Sequence, residues 1–309
     1  MRATPRKPRP ECGSLHVEQL ADSFPIVEGL PDVEASYLLC RDIAKEHSKT
    51  FYFASLFLTP EKRRAIWAVY AFCRIADDIV DSTAPAAERL AALDDWQTRL
   101  HAVYEGRPDH QAMVALAHAV QRYDIPIGPA LSLLRGARSD VTVRRYETYE
   151  ELLEYCYLVA STVGLLTCPI LGHEPEAPPY GIALGRAMQM TNILRDVGED
   201  ARAGRIYLPA EDLRRFSYPE SRLLAGTIDD NFVALMKFQV ARVRRMYEEA
   251  KPGIDLLSPS SRFTVRVAFS MYRRILDEIE RNGYDVFNRR AFVPMRAKIM
   301  IAMMTALLP

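Results

Sequence analysis

Two stretches of this chain combine features that normally exclude one another. From Ala65 to Val80, apolar side chains (Ile66, Trp67, Val69, Tyr70, Phe72, Cys73, Ile75, Ile79 and Val80) cover nearly every face of a helical period, yet Asp77 and, one residue on, Asp81 share one face. From Tyr180 to Ala201 the chain is largely uncharged through Ile193, then presents Asp196 and Asp200, with Asn192 completing a single stripe at four-residue spacing. Like charges at this spacing cost a helix roughly a few tenths of a kcal/mol. Burying them unpaired in an apolar helix costs on the order of several kcal/mol each. Either both pairs are solvated helix ends, or something compensates them. Hard divalent cations with oxygen ligands do so, and Mg²⁺ in particular combines a few carboxylates with waters and phosphates. One pair alone is equally well read as a solvated helix end. Two matching stripes, each on a largely apolar helix, favour the metal.

The rest of the chain from Val33 onward follows a helical period, with little strand-like alternation. Breaks at Thr59-Pro60, Gly106 to Pro108, Ile125-Pro126, Pro175 to Pro179, Pro209, Pro252-Gly253, Ser258-Pro259 and Val293-Pro294 divide it into about ten helices. None of these breaks resembles an interdomain linker, so residues 33–309 are expected to form one all-α domain with a central cavity, and residues 1–32 a disordered, basic, Pro-rich extension. Lys and Arg (40) balance Asp and Glu (40), which removes any global electrostatic reason to bind nucleic acid. There is no phosphate-binding Gly-rich loop. The five cysteines lack a CxxC pair, which points to a reducing, cytoplasmic compartment. Tyr155 to Gly172 is uncharged but holds Ser161, Thr162, Gly164, Thr167 and Pro169, and reads as a core helix rather than a membrane span.

Smaller signals accompany the stripes. His47-Ser48-Lys49-Thr50-Phe51 sets an imidazole, two hydroxyls and an ammonium in a row, a group that can donate to a diphosphate or simply end a helix. Arg74 and Arg195 lie beside the stripes as ion-pair partners or phosphate clamps. Tyr70, Tyr155 and Tyr272 fall in apolar stretches and, taken singly, read as core tyrosines. No HExxH, GxSxG or Cys–His pattern suggests hydrolysis.

Together these residues resemble the squalene/phytoene synthase family. Tyr70-Ala-Phe-Cys-Arg74-Ile-Ala-Asp77-Asp78-Ile-Val-Asp81 is similar to its first aspartate-rich motif, and Gln189 to Pro209 to its second with the segment that follows. The His47–Phe51 run, Tyr155 to Gly164 and Tyr272-Arg-Arg-Ile-Leu are similar to its phosphate-binding stretch, its pocket-lining helix and a late helix. Gly164 to Gly172, Arg195 to Asp200 and Gly283 to Phe287 most resemble the bacterial phytoene-forming branch.

The resemblance implies an isoprenoid-synthase helical bundle and a prenyltransferase that joins two geranylgeranyl diphosphates head to head. It implies Mg²⁺, with Mn²⁺ as a substitute, held by Asp77, Asp81, Asn192, Asp196 and Asp200. It implies diphosphate contacts from His47, Ser48, Lys49, Thr50, Arg74 and Arg195, joined late in the chain by Lys298 and by Arg289 or its neighbour Arg290. Tyr70, Arg74, Tyr155 and Tyr272 become candidate catalytic residues, and Phe51, Val159, Ala160, Gly164 and Gln189 candidate walls of the prenyl tunnel, with small residues such as Ala187 leaving depth open. No NADPH is expected. The alternatives are a squalene- or dehydrosqualene-type synthase using farnesyl diphosphate, and a non-catalytic helical relative. The hydrocarbon substrates imply peripheral membrane contact and handover of product to a downstream desaturase.

Overall fold

The computed structural model describes residues 32–307, and the expected amino-terminal extension lies almost wholly outside them. The described residues are helical, with two single bridge pairs (Arg145 with Ile206, His173 with Leu257) and no longer strand among them. In chain order the helices are α1 (Val33–His47), α2 (Lys49–Ser55), α3 (Pro60–Asp81), α4 (Ala86–Tyr104), α5 (Gln111–Tyr123), α6 (Ile127–Thr142), α7 (Tyr149–Leu171), α8 (Pro178–Arg202), α9 (Ala210–Arg215), α10 (Glu220–Leu224), α11 (Asp230–Ala250), α12 (Pro259–Arg281) and α13 (Met295–Leu307). The prolines act as starters: Pro60, Pro178 and Pro259 open helices where no backbone donor is needed. The helices outnumber the expected ten partly because α9 and α10 are short turns within the segment after the second acidic stripe.

Two hydrophobic cores build the bundle. One gathers α1, α3, α4, α5 and α6 with the end of α7 around Phe72, Trp96 and Leu134. The other gathers the start of α7 with α8, α11 and α12 around Met190, Phe232 and Tyr247. Helix α7 belongs to both. It is also the one described helix long and apolar enough to cross a membrane, but it packs against α3, α6 and α8, as the core reading requires. Its middle turn, Tyr157–Ser161, widens to a π-helix, a feature concentrated at functional positions. Opposite that turn stands Gly185, where a Cβ would lie 2.6 Å from Ser161 Cα, so only glycine lets α7 and α8 approach so closely.

His110 caps α5 by accepting from Ala112 N–H through Nδ1 (3.2 Å) and meets Trp96 edge-on at 5.0 Å. Burial, reinforced by Arg99, lowers its pKa to about 4. The folded state therefore holds this ring neutral where the unfolded chain protonates it. Its contribution is present above pH 6.5 and is lost as pH falls toward 4, a cost on the order of 3 kcal/mol. Urea unfolding of His110→Asn should show a shallower loss of stability across that pH window than the parent chain.

Candidate active site

The first acidic stripe rides on α3 in one core and the second on α8 in the other. The two helices share no extended contact, and α7 packs against both. Their polar ends therefore face a common space at the seam. Asp77 shows what kind of space it is. More than a third of its surface is open, yet burial is the leading influence pushing its carboxyl up to about 7, opposed by Arg74 and reinforced by Asp81, Asp140 and Asp78. A side chain that is both reachable by solvent and deeply surrounded by protein lines an internal concavity. Across the seam, burial and Asp196 push Asp200 up to about 7, against Arg205. Arg205, just beyond α8, reaches back to Asp81 at 3.3 Å and ties the two stripes together.

Asp196 is held differently. Burial works against its ionisation, but Arg195 (Nε to Oδ1, 2.9 Å) and Arg290 (Nε to Oδ1, 2.8 Å) outweigh it and keep the carboxyl below its ordinary range. Arg290 arrives there because of Gly198. A Cβ on Gly198 would sit 2.6 Å from Val286 O and Phe287 Cα, so the strap carrying residues 283–293 lies directly on α8. Arg202 secures that strap by donating to Phe287 O at 3.1 Å. Arg289 points away, exposed and 4.0 Å from Asp285. Of the two neighbouring arginines only Arg290 reaches α8, because seating Phe287 on Gly198 turns the second one toward Asp196.

The break between α1 and α2 falls at Ser48, whose extended backbone interrupts the helix. Its hydroxyl lies close enough to both Tyr70 and Tyr272 to favour their anions slightly, but burial outweighs it and raises both phenols above their ordinary range. Tyr70 is flanked by Arg74 and Asp77, Tyr272 by Arg195 and Asp196, so this trio bridges the arginines of the two stripes. Phe51 stacks on Tyr70 at 4.6 Å. Lys298 is buried, and burial together with the nearby Lys49 ammonium lowers its pKa. Arg74 pairs with Asp78, while its Nε is buried with no acceptor among the described residues. Two lysines brought together and an orphaned guanidinium donor are what a multiply charged anion would satisfy. His47 is exposed and Thr50 half-buried at the same helix break.

One central residue carries no sequence pattern. Asp140, near the end of α6, accepts from Tyr155 Oη (2.9 Å) and Tyr207 Oη (3.1 Å). These phenols and Tyr146 form a mutual stack with centroids 5.3 to 5.8 Å apart. Burial pushes Asp140 up to about 6 despite both phenols and Arg205. It has no acidic neighbour at four-residue spacing, since positions 136 and 144 are Gly and Arg, so no stripe betrays it.

The apolar candidates divide. Val159 and Ala160, on the π turn, and Gln189 are half-buried, and Asn192 donates to Gln189 Oε1 at 3.4 Å. Gly164 faces Gly181 instead, where a Cβ would lie 2.8 Å from the carbonyl oxygen. Its missing side chain serves helix contact, not tunnel depth. Ala187 is wholly buried in the second core and leaves no depth either.

Among the described residues, no three His, Cys, Asp or Glu side chains gather closely enough to cage a metal. The donor set nonetheless fits a hard divalent cation. Asp77 and Asp200 are carboxylates whose anions the fold disfavours, placed among other carboxylates, which suits a cation completed by water and substrate phosphate.

With this geometry, the family model for squalene/phytoene synthase matches residues 44–297, and the chain belongs to that family. It is 43% identical to a 15-cis-phytoene synthase of Synechocystis sp., over 95% of this chain and 90% of the relative. It is 45% identical to a phytoene synthase of Arthrospira platensis, over 86% and 90%. A crystal structure of a dehydrosqualene synthase with ligand aligns with a TM-score of 0.84 at 32% identity, over 89% of this chain and 96% of that one.

Replacing Arg290 with Ala should lower kcat/KM by about tenfold to a hundredfold, the cost of one charge-assisted contact, while Arg289→Ala stays within about twofold. Steady-state kinetics of the two variants side by side would check the assignment.

Proposed function

We propose that this chain is a prenyltransferase of the phytoene synthase type, condensing two geranylgeranyl diphosphates through prephytoene diphosphate to phytoene plus diphosphate. The observation that carries it is the meeting of two acidic stripes and a cationic cluster at the seam of two cores, in a chain 43–45% identical to phytoene synthases.

Asp77 and Asp81 on one side, with Asn192, Asp196 and Asp200 on the other, would hold Mg²⁺ or Mn²⁺, which neutralises charge on the leaving diphosphate. The chain's own residues do the rest. Lys49, Lys298, Arg74, Arg195 and Arg290 take the diphosphate oxygens, with His47, Ser48 and Thr50 at the same helix break adding polar contacts. Loss of the first diphosphate breaks the C1–O bond and leaves an allylic cation. The alkene of the second substrate attacks that cation, and proton loss closes the cyclopropane. Loss of the second diphosphate, rearrangement and a second proton loss give the product. Each cation is quenched by losing a proton, so this reaction consumes no hydride and no NADPH.

The cation must be kept from water. Phe51 stacked on Tyr70, with Tyr272 beside them, presents aromatic faces near the arginines of both stripes. Tyr155 is oriented by Asp140, which fixes its phenol at the carboxylate edge of the site. Val159, Ala160 and Gln189 line the prenyl chain's path. The protein works at the cytoplasmic face of a membrane, taking substrate from it and passing phytoene to a desaturase.

Purified enzyme incubated with geranylgeranyl or farnesyl diphosphate, Mg²⁺, and with or without NADPH should form the C40 product from the C20 substrate with NADPH absent, read by product mass. A preference for the C15 substrate, or dependence on NADPH, would assign the chain to the squalene or dehydrosqualene type. Asp77→Asn and Asp196→Asn should each lower kcat by about a thousandfold or more with far-UV dichroism unchanged. Near-normal turnover in both would remove the metal assignment.

A further inference from the structure

Helix α13 is apolar on both faces, and only one is covered. Ala302, with Ile301 beside it, packs against Val267 and Met271 of α12 and Ala54 of α2. Over an arc of about half the circumference, running from beside Ala302 round to the far side, Met295, Ile299, Met300, Met303, Met304 and Leu307 are 48% to 77% exposed. Six of the thirteen large hydrophobic side chains exposed among the described residues thus lie on this one helix. Phe292, just before it, is 68% exposed. Leu56 and Phe57, also exposed, follow α2, which packs on α12 as α13 does, with Phe57 edge-on to Phe263. So much clustered apolar surface marks an interaction site.

Charge selects the occupant. From residue 288 to the end, the chain holds Arg289, Arg290, Arg296 and Lys298 and no acidic residue. Arg296 lies within the exposed apolar arc itself. A second copy docked face to face on this arc would bring two Arg296 guanidiniums into the interface with no acidic side chain from either helix to pair them. An anionic lipid surface accepts both the methionines and the arginines. Arg296 on the exposed arc and Lys298 on the covered face put charge on both sides of the described helix, which suits a helix lying flat at the interface rather than one passing through hydrocarbon.

We propose that α13 is the surface by which this protein rests on an anionic bilayer. The assignment deepens the membrane contact proposed above and rests on that reading. It links lipid to chemistry through one helix. The outer face of α13 enters the headgroup region, while Lys298 on its inner face stands beside Lys49 in the cationic cluster.

The test is flotation of the full chain with phosphatidylcholine vesicles, with and without phosphatidylglycerol, and with no prenyl diphosphate present. The chain should float with the anionic vesicles. Met303→Glu combined with Met304→Glu should cut the bound fraction about tenfold or more, since two charges would enter the apolar interface. Arg296→Glu should abolish the preference for the anionic lipid. Leu307→Glu, in the last turn, where unfolding the rest of the bundle is not at stake, should also weaken binding. Dichroism and activity on detergent-dispersed substrate should stay within about twofold for the Met303/Met304 variant, because those side chains touch nothing in the site. Parental flotation by the glutamate variants would overturn the proposal. So would a parent chain that floats only after residues 1–31 are removed, or one that is a dimer by light scattering and becomes a monomer in the Met303/Met304 variant. Because flotation uses no substrate, its failure leaves the synthase reading standing, and failure of the detergent assay with the parent chain would count against that reading alone.

Discussion

The structure depends on a repulsion it does not remove. Asp77, Asp81, Asp140 and Asp200 come from three helices in two cores and feel one another across the seam. In an ordinary interior such carboxylates would be paired or absent. Here guanidiniums offset part of the charge, Arg205 at Asp81 and Arg195 with Arg290 at Asp196. Two phenols satisfy Asp140. What is left uncompensated lies on Asp77 and Asp200, one on each side, with both carboxyls pushed up to about 7. Burial is the larger cause at both carboxyls and the neighbouring carboxylates add to it, which is the setting the proposed divalent cation would relieve.

The scaffold keeps this arrangement by close backbone contacts rather than by bulky packing. Gly185 lets α8 meet the π turn of α7, and Gly198 seats the strap that delivers Arg290. Stripes from two separate cores would otherwise be free to drift relative to one another. Helix α7, shared by both cores, fixes their spacing while keeping α3 and α8 apart. The gap between those two helices is therefore a consequence of topology: neither acidic helix can bury its stripe against the other.

The apolar character of the substrates shows in the same architecture. The charged residues have apolar company: Phe51 stacks on Tyr70, which lies beside Arg74 and Asp77, so polar and aromatic surface meet at the same helix break. The cationic cluster at Lys49 and Lys298 joins the first helix break to the last helix, which ties the two ends of the described chain to the same chemistry.

Much of this was legible in the sequence because it is periodic. Helices declare themselves by apolar spacing and proline starts, and the Asp77/Asp81 and Asn192/Asp196/Asp200 stripes by four-residue repeats within apolar stretches. Such local patterns determined the all-helical class, the facing of each stripe on its own helix and the family resemblance. Tertiary structure decided whatever depends on a partner distant in the chain. Asp140 acquires its role only when α6 brings it to Tyr155 and Tyr207. Arg290 rather than Arg289 meets Asp196 because a strap lies on Gly198, and Gly164 serves contact with Gly181 instead of tunnel depth. A helical repeat specifies which residues share a face, but what that face meets is set by packing between segments far apart in the chain, as Arg205 meets Asp81 and Lys298 meets Lys49, which no local period encodes.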